Sequence, residues 1–78
     1  MNVCVIGCGR WGSFLAWYLN GLGHSVTLYG RESSAKLGEL KKSRSNGLVT
    51  LDEKINITSG LKSALEPAQT VVISAEAL

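Results

Sequence analysis

The feature that most constrains this chain is a glycine-spaced hexapeptide between two segments of different hydrophobic period. Residues 3–6 form a short, continuously apolar run, which is typical of a strand buried on both faces. The hexapeptide GCGRWG follows at residues 7–12. After it, apolar side chains recur at helical spacing: Leu15, Tyr18, Leu19 and Leu22. The pattern predicts a buried strand that turns directly into an amphipathic helix, with these four side chains on one face.

Each glycine of the hexapeptide has a separate physical role in binding a dinucleotide. Gly7 allows the tight turn from strand to helix, and Gly9, which has no Cβ, lets a pyrophosphate approach the backbone. Gly12 lets the helix pack closely against the strand. The helix start offers unpaired N–H groups and a positive dipole end to phosphates. The alternative is a glycine-rich turn without a ligand, which the flanking strand and helix disfavour.

The remaining chain alternates strand-like and helix-like segments. Strands are predicted at residues 25–29, 48–51, 55–58 and 70–74, and helices at residues 34–42 and 61–66. Ser33 or Ser34 is expected to cap the first of these helices. The order β-α-β-α-β-α-β predicts an α/β fold, a partial Rossmann-type parallel sheet with flanking helices.

Length and composition narrow the function classes. We interpret the 78 residues as the N-terminal portion, 1–78, of a dinucleotide-binding domain, with the substrate domain absent from this chain. The net charge of +2 is weak and scattered, so no nucleic-acid partner is expected. The apolar runs are too short for a membrane span, and the start does not resemble a signal peptide. Cys4 and Cys8 are expected to be free thiols in a reducing cytoplasm, and no metal set accompanies them.

The end of the second predicted strand indicates which dinucleotide is bound. NAD-preferring folds carry Asp or Glu there to bind the ribose 2′-hydroxyl. This chain has Gly30, which leaves room for a 2′-phosphate, followed by Arg31, which can pair with it. We therefore expect NADP to be preferred, with NAD possible. Two alternatives stay open: Glu32 turned toward the ribose, or Arg31 as an ordinary solvated charge.

These motifs resemble the start of the NAD(P)-dependent glycerol-3-phosphate dehydrogenase family. The hexapeptide is similar to G-x-G-S-W-G, residues 23–31 to G-H-x-V-x-L-W-G-R, and residues 72–78 to V-x-P-S-x-x-L. The resemblance covers nearly the whole chain and implies that Arg10, Trp11 and Arg31 contact the dinucleotide. Trp11 would cover the cofactor or pack against a neighbouring domain. Arg10 departs from the usual serine, and Ser74 from the usual proline.

The resemblance also implies an activity for the full-length protein. That activity is hydride transfer between dihydroxyacetone phosphate and glycerol 3-phosphate, in glycerophospholipid synthesis, by a cytoplasmic enzyme expected to form a homo-oligomer. The family's catalytic lysine lies beyond residue 78, so no catalytic residue is assigned here and the chain alone is expected to be inactive. Two alternatives remain: a ketopantoate-reductase-like NADP oxidoreductase, and a non-catalytic nucleotide-sensing domain. The latter usually keeps an acid at the end of the second strand, which is missing here.

Overall fold

A computed structural model describes residues 1–74, and these form a parallel α/β fold. The elements are β1 (Asn2–Ile6), α1 (Arg10–Gly21), β2 (Ser25–Tyr29), α2 (Ala35–Ser43), β3 (Asn56–Thr58), α3 (Leu61–Leu65) and β4 (Thr70–Ile73). All strand pairs are parallel, in the order β3-β2-β1-β4. The predicted fold class is confirmed. No helix within residues 1–74 has the length and apolarity needed to cross a bilayer.

The parallel sheet brings the carboxyl ends of its strands to one edge. Gly7 N donates to Tyr29 O at 2.8 Å, where β1 runs beside β2. Gly30 N donates to Thr58 O, at the end of β3, at 3.1 Å. Ser74 N donates to Ile6 O, at the end of β1, at 2.9 Å. The residues that directly follow the strands therefore meet at this edge, which is where open α/β sheets bind their ligands.

The core lies between the sheet and the helices packed on it. α1 packs on β1 and β2, α2 on β3, and α3 on β2. The strand β1 contributes a continuously buried run, as expected for a covered parallel sheet, whereas β2 buries only alternate side chains. The buried apolar side chains include Val3, Val5, Val26, Leu28, Leu37, Leu40, Leu51 and Ile55.

The apolar face predicted on α1 is only partly buried. Tyr18 is 49% exposed and Leu22 is 58% exposed, whereas Leu19 packs against the core. The fully buried residues of the helix are the small ones, Gly12, Ser13 and Ala16, which let it lie close to the sheet. The ring of Phe14 lies 5.8 to 6.2 Å from its aromatic neighbours on the exposed side of the helix.

The strand predicted at residues 48–51 is also wrong. This segment forms one isolated antiparallel bridge, Ser45↔Thr50, within a loop between α2 and β3. Asn46 Oδ1 accepts from the N–H groups of residues 48 and 49 at 2.9 and 3.0 Å, a local bond that competes with strand pairing. The Arg44 guanidinium donates to the carbonyls of Asp52 and Ile55, which holds the loop over the core.

Candidate dinucleotide site

The loop between β1 and α1 depends on glycine at its first and last positions. Gly7 has φ 114°, a region that residues with a side chain rarely adopt. A Cβ on Gly12 would lie 1.7 Å from Gly7 O. The turn can therefore close only when both positions lack a side chain. The roles predicted for these two glycines in turning and packing are confirmed.

Ser13 fixes this loop to the helix that follows it. The backbone N–H of Ser13 donates to Gly9 O at 2.9 Å, and its fully buried hydroxyl donates to Cys8 O at 3.2 Å. The N-cap Gly9 provides no side-chain cap, and the first turn of α1 contains no acid. No acidic side chain therefore competes with an anion at this helix start, and the helix dipole favours an anion there.

A cleft of about 450 Å³ runs along the carboxyl edge beside this loop. Its volume lies within the ordinary range for small-molecule sites. The cleft brings together four of the predicted site residues: Gly7, Gly9, Gly30 and Arg31. It is completed by Ile6, Cys8, Tyr29, Ser33, Ser34, Lys36 and Leu61. Positive charge thus faces the cleft from Arg31 and Lys36, whereas Glu32 is not among the lining residues.

The other predicted site residues surround the same loop outside that cleft. Arg10 lines an adjoining cleft of about 650 Å³, which shares Cys8, Gly9 and Lys36 with the first. Trp11 is 61% exposed, and its ring meets that of Phe14 edge-on at 6.2 Å. Gly12 is buried against Gly7 beneath the loop. Contacts of Arg10 and Trp11 with a dinucleotide stay predictions.

The structure gives a reason for glycine at position 30 that no sequence motif indicates. A Cβ at this position would lie 2.5 Å from Cys8 Sγ and 3.0 Å from Leu37 Cδ1. The hexapeptide pattern treats position 8 as variable, and the strand-end pattern treats Gly30 as space for a phosphate. Neither motif therefore predicts the contact between Cys8 and Gly30. Lys36 was also missed, although its place just after the N-cap Ser34 puts it in the first turn of α2.

Ser74 places a polar atom beside the phosphate loop. It is 3% exposed, and its hydroxyl has no hydrogen-bond partner among residues 1–74. Its Cβ lies 3.6 Å from the position that a Cβ on Gly12 would take. Leaving a buried hydroxyl without a partner costs about 1–3 kcal/mol. The other residues of the family-like stretch, 75–78, lie outside the described part of the chain.

Comparison with known proteins shows the family to which the chain belongs. The model described as "NAD-dependent glycerol-3-phosphate dehydrogenase N-terminus" matches residues 2–77. A protein named glycerol-3-phosphate dehydrogenase (NAD(P)+) from Thermoanaerobacter sp. (strain X514) is 36% identical, over 95% of this chain and 23% of the relative. The protein of that name from Nitrosomonas eutropha is 39% identical, over 94% and 23% of the two chains.

A solved structure agrees with this match. The crystal structure of glycerol-3-phosphate dehydrogenase from Coxiella burnetii superposes with a TM-score of 0.80 and 26% sequence identity. The match covers 92% of this chain and 23% of that one. The chain therefore spans less than a quarter of the length of the relatives it matches.

Proposed function

Because this chain belongs to the family of NAD-dependent glycerol-3-phosphate dehydrogenase N-termini, we propose that it binds the phosphate-bearing part of a nicotinamide dinucleotide. Residues 1–78 would be the N-terminal portion of the dinucleotide-binding domain. The observation that carries the proposal is the cleft in which Gly7 and Gly9 face Arg31 and Lys36 across the edge of the sheet. NADP would be preferred and NAD accepted, in keeping with relatives named for both.

The described residues fit such a ligand at two points. At the phosphate loop, the missing side chains of Gly7 and Gly12 allow a tight turn whose N–H groups can bind the pyrophosphate. At the tip of β2, the space beside Gly30 and the guanidinium of Arg31 suit a ribose 2′-phosphate. Lys36 adds a second cation to the same cleft. In the full-length enzyme, the bound dinucleotide supplies the hydride.

This chain's residues would bind and orient rather than catalyse. The Ser13 hydroxyl holds the Cys8 carbonyl, and thereby fixes the loop over which the pyrophosphate would lie. Ser34 Oγ accepts from Leu37 N at 3.3 Å and fixes the start of α2, which carries Lys36. The lining of the 450 Å³ cleft contains no histidine or carboxylate to exchange a proton with a ketone. A catalytic group outside this chain is therefore part of the proposal.

The same proposal extends to the whole enzyme. It would interconvert dihydroxyacetone phosphate, a small phosphate substrate, and glycerol 3-phosphate for glycerophospholipid synthesis. The family match favours this reaction over the ketopantoate-reductase-like and nucleotide-sensing alternatives. Two free cysteines, Cys4 and Cys8, support a cytoplasmic location because the cytoplasm keeps thiols reduced. A homo-oligomer remains part of the proposal.

An NMR titration of the nitrogen-15-labelled chain with NADPH tests the binding site. The largest amide shifts are expected at Gly7, Gly9, Gly30 and Arg31, because these residues line the cleft. Shifts confined to other segments, or none at millimolar NADPH, would refute the site. Dihydroxyacetone phosphate added to the complex should leave the nicotinamide absorbance unchanged. Turnover would contradict the assignment of the catalytic group to a position outside this chain.

A further inference from the structure

We propose that Cys8 sets the dinucleotide preference of this chain by keeping every side chain out of position 30. The inference rests on the proposed function, since it assumes a dinucleotide in the cleft. Position 30 follows β2 directly, where NAD-preferring enzymes of this fold carry an acid. Cys8 would thus be a positioning residue that acts through Gly30.

The exclusion follows from the distances around Gly30. A Cβ there would lie 2.5 Å from Cys8 Sγ, 3.1 Å from Cys8 Cβ and 3.0 Å from Leu37 Cδ1. The contact with Leu37 Cδ1, the far end of a longer side chain, needs only a small shift, whereas the contact with Cys8 Sγ is much shorter. Cys8 has a short side chain and is only 7% exposed, and its Sγ lies 3.6 Å from Ser34 Oγ. The cysteine therefore has little room to move away.

The backbone at Gly30 does not itself require glycine. Its φ lies outside the left-handed region, in contrast to the φ of 114° at Gly7. Its N–H donates to Thr58 O at 3.1 Å, a bond that any residue except proline can make. Only the packing against Cys8 and Leu37 excludes a side chain. Removing the Cys8 sulfur leaves contacts of 3.0 Å to Leu37 Cδ1 and 3.1 Å to the Cβ of residue 8, which small shifts of these side chains would relieve.

The exclusion affects how the ribose is recognised. An aspartate at position 30 would accept hydrogen bonds from the hydroxyls of NAD and would repel a 2′-phosphate. Without a side chain there, Arg31 and Lys36 are the charged residues that line this part of the cleft. Cys8 therefore favours the phosphorylated ribose indirectly.

A double-mutant experiment tests this in two independent ways. Urea unfolding of the wild type, C8A, G30D, C8A/G30D and C8S/G30D measures packing without any cofactor. G30D should lower the unfolding midpoint, and C8A should restore most of the loss. C8S is the matched control, because serine keeps an atom at the γ position and should restore little.

Calorimetric titration of the folded variants with NADPH and NADH provides the second readout. Folded G30D provides the reference ratio of the two affinities, because the Cys8 sulfur still lies against position 30 in that variant. C8A/G30D should shift this ratio toward NADH by about tenfold or more, a change of about 1.4 kcal/mol. If Cys8 had only a structural role, C8A/G30D would show the same ratio as folded G30D.

Three results would overturn the proposal. Equal urea midpoints for G30D and C8A/G30D would show that Cys8 does not exclude the side chain, as would failure of both to fold. A folded C8A/G30D with an unchanged affinity ratio would show that position 30 does not face the ribose. If the wild type bound neither dinucleotide, the proposed function itself would fall, while the urea series would still measure the contact between Cys8 and Gly30.

Discussion

Replacing Gly12 with alanine tests the close contact between α1 and the phosphate loop. The new Cβ would lie 1.7 Å from Gly7 O and 2.7 Å from Gly7 C, both backbone atoms that cannot rotate away. The helix start would have to retreat by roughly 1.5 Å in a close-packed interior. Overpacking typically costs about 1–3 kcal/mol, and a clash with backbone belongs at the upper end. The better helix propensity of alanine returns about 1 kcal/mol, so we expect a net loss of about 2 kcal/mol.

Urea unfolding, followed by circular dichroism, measures this loss. With a slope of about 1 kcal/mol/M for a small chain, the midpoint should fall by about 2 M. Gly38→Ala is the matched control, because a Cβ there meets nothing within 4 Å in the helix α2. The control should gain up to about 1 kcal/mol from propensity alone. If Gly12→Ala were as stable as the wild type, or gained stability as the control does, the close contact would be refuted.

Other substitutions address the cleft, the cap of α2 and the buried thiol. Arg31→Ala should weaken NADPH binding by about tenfold in calorimetry and leave NADH binding unchanged; equal losses for both would contradict a 2′-phosphate contact. Ser34→Ala removes the cap on Leu37 N and should cost about 1 kcal/mol in thermal unfolding, unlike Ser33→Ala; equal melting temperatures would contradict the cap. Burial raises the pKa of the Cys4 thiol above its ordinary 9.0, so the stability that it contributes is present below about pH 9 and lost as the pH rises further. Cys4→Ala should therefore show a smaller alkaline loss of stability in urea; an identical loss would exclude this cause.

Much of the fold could be predicted because its signals are local. A continuous apolar run, a glycine hexapeptide and a helical period are each readable within a few residues, and together they gave the β-α-β unit. The inward face of α1 could not be read in this way. Tyr18 and Leu22 fit the apolar period, but the fully buried residues of the helix are small ones such as Ala16. Periodicity does not report how closely two elements pack.

The glycines of the phosphate loop could be predicted from the sequence, but the contact between Cys8 and Gly30 could not. Gly7 and Gly12 could be assigned because their turn geometry recurs with the spacing of the hexapeptide. The pair formed by Cys8 and Gly30 joins two loops that only the parallel pairing of β1 and β2 brings together. The loop after α2 was mistaken for a strand because side-chain bonds from Asn46 outweighed its apolar composition.

A calorimetric titration of this chain with NADPH, and separately with NADH, tests the central claim most directly. The cleft brings the phosphate loop together with Gly30, Arg31 and Lys36, and no acid lines it. NADPH should therefore bind about tenfold more tightly than NADH, or better. Equal affinities, tighter binding of NADH, or no heat from either dinucleotide would contradict the account.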